Sequence, residues 1–121
     1  MELKFSLEIP QNLWSDVQRK IVNAQTTLAT EYKKACDIYT PMQQGTLKNN
    51  IEYTKNNAGA YNGWIYNSPY ARRQWYGKKK DGTGFNYSKD TNPNARSRWT
   101  EHAWETHHDE ILNSVINALE L

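Results

Sequence analysis

Apolar and polar positions divide this chain into segments of two different periods. Residues 3–9 alternate strictly, with Leu3, Phe5, Leu7 and Ile9 on one side and Lys4, Ser6 and Glu8 on the other, which predicts a half-buried strand. Pro10 ends it, since proline offers no donor to a strand ladder and suits a helix start. Over residues 11–39, Trp14, Val17, Ile21, Ala24, Leu28, Tyr32, Ala35 and Tyr39 recur at spacings of three and four, which predicts one long amphipathic helix. Asn12, or Ser15 with Gln18, would cap its start, and Pro41 stops it because the residue before a proline avoids helical angles. Arg19, Lys20, Glu31, Lys33 and Lys34 fall outside the stripe and read as its solvated face.

Gly45 then permits a turn, and residues 46–67 read as a hairpin. Leu47, Asn49, Ile51 and Tyr53 alternate with Lys48, Asn50, Glu52 and Thr54, and the Asn- and Gly-rich connection 55–63 leads to a second strand at 64–67. Asn67-Ser68-Pro69 breaks that strand, and an aromatic, arginine-rich turn closed by Gly77 follows. Residues 77–96 sustain neither period and form a long loop, a length that inside a small domain tends to serve function or to be disordered. Residues 97–119 turn helical again, with Trp104, His108, Ile111, Leu112, Val115 and Leu119 on one face. The predicted class is α+β: a long N-terminal and a C-terminal helix packed on a small antiparallel sheet of three or four strands, with a long basic loop.

Composition changes this picture in one respect. Leu, Ile, Val and Phe are scarce, but the net charge is only +2, and five Trp with eight Tyr supply apolar area within one domain of 121 residues. Each Trp and Tyr carries a polar atom that needs a partner, so such a chain leans towards finishing its burial on a neighbouring subunit. The start of the chain has no apolar h-region and no later run nears a membrane span, which predicts a soluble protein made in a cytosol, without membrane contact. The lone Cys36, on the inner helix face, reads as a small buried thiol.

Candidate chemistry is thin. His102, His107 and His108 sit among Glu101, Glu105, Asp109 and Glu110, but His102 and His107 are five apart and diverge on a helix, so the spacing argues against a metal site. There is no nucleophile elbow and no phosphate-cradling glycine run; neither catalytic residues nor a cofactor are expected. Arg72, Arg73, Lys78, Lys79, Lys80, Lys89, Arg96 and Arg98 interleave with Tyr76, Phe85 and Tyr87, a mixture suited to phosphate contact and base stacking. The alternative function is therefore a nucleic-acid-binding module using loop 72–98, although the acidic C-terminal helix offsets its charge.

Two passages carry a resemblance. Tyr39-Thr40-Pro41-Met42-Gln43-Gln44-Gly45-Thr46-Leu47-Lys48-Asn49 and Tyr66-Asn67-Ser68-Pro69-Tyr70-Ala71 followed by Trp75-Tyr76-Gly77 resemble the corresponding motifs of tailed-phage minor capsid and head-tail joining proteins, in order and separation. Asn49 and Asn50 depart from the pattern, where a serine is common. The resemblance implies a non-enzymatic virion subunit, assembled in the bacterial host cytoplasm, that forms a homo-oligomeric ring at the neck. Its other partners would be neck proteins such as adaptor, head-closure or tail-terminator subunits, with weak DNA contact as a further option. On this reading Tyr70, Arg72, Arg73, Trp75, Tyr76, Lys78, Lys79 and Lys80 meet the neighbour, while Pro41, Gly45, Pro69 and Gly77 shape the turns that present them.

Overall fold

In the computed structural model, residues 1–4, 10–41, 46–78, 84 and 92–120 are described. The element order is α1 (Gln11–Tyr39), α2 (Thr46–Asn49), β1 (Ile51–Lys55), β2 (Tyr61–Tyr66), α3 (Ala71–Tyr76) and α4 (Trp99–Ala118). The strand expected over 3–9 falls on residues 5–9, outside the described residues, as do Gly45, Lys79, Lys80 and most of loop 77–96.

Helix α1 has the expected bounds. Pro10 occupies its N-cap without any side-chain cap, so neither Asn12 nor Ser15 serves there. At the other end Thr40 is extended ahead of Pro41, and its hydroxyl donates to the Cys36 carbonyl at 2.8 Å, satisfying one of the orphan acceptors of the last turn. Asn92 satisfies two more: its side-chain amide donates to the carbonyls of Ile38 and Thr40, both at 2.9 Å. The end of the region expected to be loop is thus a buried plug on the α1 C-terminus, reinforced where the Arg96 N–H donates to the Tyr39 carbonyl.

The sheet is smaller than expected. Among the described residues it has two strands, not three or four: β1 and β2 pair antiparallel, with Ile51 opposite Tyr66 and Tyr53 opposite Trp64. Residues 46–49, expected to begin the first strand, wind instead into α2. Leu47 is buried in the core, and the Lys48 carbonyl accepts from the Lys33 ammonium at 3.1 Å. Lys33, expected on the solvated face, is 4% exposed and ion-paired with Asp37 one turn on, so its charge is compensated where it is buried. The hairpin turn is held by the Asn56 side chain, whose carbonyl oxygen accepts from the N–H groups of Ala58 and Ala60, with Gly59 at φ 85. The Tyr61 N–H donates to the Thr26 hydroxyl and docks the hairpin on α1.

Helices α1 and α4 pack against each other and the hairpin covers α1. Ala35, Cys36, Tyr39, Leu47, Trp99, Ala103 and Ile111 form the core, with Leu28, Tyr32, Trp64, Tyr66, Ala71 and Trp75 packed around it. Small residues at 35, 36 and 103 leave room for large rings, and edge-to-face pairs run from Trp104 through Tyr32, Trp64 and Tyr66 to Trp99. The inner face of α4 is Trp99, Ala103 and Ile111, while Trp104, Leu112 and Ile116 are exposed; the expected face was displaced by about one residue's rotation.

Candidate assembly surface

The polar atoms of the core aromatic residues are satisfied within the chain. Tyr32 donates to the Thr100 carbonyl at 2.7 Å, the Trp99 indole to the Tyr66 hydroxyl at 3.1 Å, and the Trp75 indole to the Thr100 hydroxyl at 2.9 Å. Burial pushes the Tyr32 and Tyr66 phenols up to about 12, and the Cys36 thiol likewise to about 12, so all three are neutral and inert at neutral pH. Any need for a neighbour therefore arises from what is left exposed.

Exposed apolar residues are spread over α1, β2 and α4, but at α3 two exposed tyrosines sit beside two exposed arginines. The Ser68-Pro69-Tyr70-Ala71 turn is closed by the Ala71 N–H on the Ser68 carbonyl, and the helix follows at once. The sequence suggested only a turn here, since six residues are too few to show a period. Its sidedness is nevertheless helical. Ala71 and Trp75 face inward on the core, whereas Tyr70 (61% exposed), Arg72, Arg73 and Tyr76 (49% exposed) face out. Trp75 is thus half-buried and tied to α4 rather than free on the surface. Gly77 ends α3 at φ 78, a left-handed angle that a side chain resists, and its N–H donates to the Arg73 carbonyl.

Arg98 rigidifies the far side of this helix. It holds a left-handed φ of 49 at the α4 N-cap, donates its N–H to the Trp75 carbonyl at 2.7 Å, and lays its guanidinium over Trp75 at 4.8 Å and Tyr76 at 5.6 Å. The Arg72 guanidinium lies 5.9 Å over Tyr76. Among the described residues neither Arg72 nor Arg73 has a carboxylate within ion-pair distance. Lys78 is exposed and bridges to Gly84; Pro41 is buried behind α1.

His102 and His107, expected to diverge, both pack against the Tyr39 ring, at 4.5 and 5.7 Å between centroids, while His108 lies apart from them. His107, not His108, leans inward, with its Nε2 2.8 Å from the Tyr39 hydroxyl; His108 contacts the Trp104 carbonyl from the surface. His102 lies against Arg96, and desolvation with that charge holds its pKa below the ordinary value. Among the described residues no group of three metal-ligating side chains converges, and no helix is long and apolar enough to cross a membrane.

A concave surface lies where α1, β2 and α4 meet. This groove, of about 570 Å³, is lined by Leu28, Ala29, Tyr32, Trp64, Tyr66 and Trp104 among others, with Gln25, Asn62 and Thr100 as its polar members. Sequence reasoning missed it, because Trp104 was assigned to the core.

The family model described as "Minor capsid protein" matches residues 11–118, from the first residue of α1 to the last of α4. The chain belongs to the minor capsid protein family. Searches of curated proteins and of solved structures returned no significant match. As a minor capsid protein it is a structural component of a phage virion and not an enzyme, and its partners are other virion proteins. Every element described above lies within the matched span, α3 and the groove of this minor capsid protein included.

Proposed function

We propose that this minor capsid protein is a head-tail joining subunit that assembles as a ring in the neck, as part of head completion or tail completion. The observation that supports this most is the one-sided construction of α3. Its inner face is pinned to the core by Trp75 and Arg98, so the backbone that presents Tyr70, Arg72, Arg73 and Tyr76 outward is held in place before any partner arrives. Tyrosine and arginine dominate the energetic centres of protein interfaces, because they bury large area while keeping directional polar groups. Four such residues gathered on one exposed face are more than a solvated turn needs.

The test is complementation of a phage lacking this gene. Arg72→Glu/Arg73→Glu should leave heads and tails intact but unjoined in electron micrographs, with at least a tenfold loss of infectious particles. Particles joined normally by the double variant, or wild-type protein found only in heads without tails, would overturn the proposal. The rival reading, nucleic-acid binding by residues 72–98, predicts instead that the same variant loses salt-sensitive DNA affinity while particles still join.

A further inference from the structure

Granting that α3 is a contact surface, we infer that its occupant site on the next copy is the aromatic groove between α1, β2 and α4, together with the acidic stripe that borders it. The groove is open at Trp104, which is 37% exposed although its ring packs edge-on to Tyr32 at 5.6 Å. Tyr32 also meets Trp64 edge-on at 5.2 Å, so indole and phenol rings line the opening. Such faces attract tyrosine rings and guanidinium groups, the two chemistries that α3 displays.

Charge selects the same pairing. On α4, Glu101, Trp104, Glu105 and His108 fall on one stripe at helical spacing, and Asp109 continues it; the helix contains no Lys or Arg. Among the described residues Glu105 has no cationic partner, Asp109 touches only His108, and Glu101 pairs only with Arg98. Segment 71–78 is the converse: Arg72, Arg73 and Lys78 with no acid. Unpaired positive charge on one face and unpaired negative charge on another cannot be satisfied by like meeting like. A twofold contact of α3 with α3, or of α4 with α4, sets equal charges against each other, whereas α3 against the groove sets opposite charges together. Carried on in one direction, that contact is head-to-tail and closes into a ring in which each subunit has one donor and one acceptor face.

Charge reversal with exchange tests this in the same complementation system, with subunits per particle counted by quantitative mass spectrometry. Arg72→Glu/Arg73→Glu alone and Glu105→Arg/Asp109→Arg alone should each fall at least tenfold in incorporation. Combining all four substitutions in one chain should restore incorporation to within about twofold of wild type, because every junction of a ring of any size then pairs opposite charges; this also shows that neither pair of substitutions misfolds the chain. Failure of the combined variant to rescue, or loss with the α3 variant but not the α4 variant, would overturn the groove as the receiving site while leaving the neck assignment standing. Normal incorporation of the α3 variant alone would overturn the assignment of α3 itself.

Discussion

Trp99 offers the sharpest check on how this fold is held. Its indole is 0% exposed at the α4 N-terminus, edge-on to Tyr66, with its N–H on the Tyr66 hydroxyl at 3.1 Å. Truncation to alanine would leave a cavity the size of the largest fully buried side chain and should cost about 3–5 kcal/mol, a large part of the stability of a domain of this size. The informative experiment is a cycle with conservative changes. Trp99→Phe removes the donor and part of the ring volume and should cost about 2 kcal/mol. Tyr66→Phe keeps the ring but leaves the buried indole N–H without an acceptor, at about 1–3 kcal/mol. Together they should cost roughly 1 kcal/mol less than the two separately, because the second change no longer strands a polar group. Urea denaturation followed by tryptophan fluorescence and circular dichroism gives all four stabilities. Strictly additive losses would show that the bond contributes nothing and that the aromatic core is held by area alone.

Two further outcomes follow from the same structure. Arg98→Ala and Arg98→Gly both lose the guanidinium over Trp75, but only glycine relieves the φ of 49, so the glycine variant should be more stable by about 1 kcal/mol in thermal melts; equal melting points would remove the strain. In alkali, the buried Cys36, with its pKa raised from 9.0 to about 12, and Tyr66, raised from 10.0 to about 12, stay protonated in the fold while the unfolded chain releases its protons first. Their stabilisation is complete below about pH 9 and is lost as pH rises towards 12, so melting temperature should fall across that window, and Cys36→Ala should delay its onset. A flat profile to pH 11 would refute the burial of both groups.

Helix α1 was legible because its spacing persists over many turns and prolines bracket it. The same stripe misled at its N-terminal half, where Trp14 and Ile21 are exposed: periodicity reports that a helix has an apolar side, not that anything covers it. The face of α4 was misread for a related reason. Leucine and tryptophan outweigh alanine on any scale, yet Ala103 is buried because its small side chain lets α4 approach Ala35 and Cys36. Helices α2 and α3 are too short for either period to register. The burial of Lys33 required knowing that the Lys48 carbonyl lies beside it, a contact fifteen residues away, although Asp37 at four-residue spacing was in plain sight. The α3 residues were picked out by type, while their division into an inner Trp75 and an outer Tyr70, Arg72, Arg73 and Tyr76 came from the fold. Composition pointed to a neighbour through the polar atoms of aromatic residues; in the core these bond within the chain, and what is left for a neighbour is the exposed face of α3.

The most direct measurement of the central claim is hydroxyl-radical footprinting of tyrosines in the free protein and in purified virions. Tyr70 and Tyr76, exposed in the subunit, should become at least tenfold less reactive in the particle, while the partly buried Tyr53 changes little. Equal reactivity of Tyr70 and Tyr76 in both samples would contradict the account.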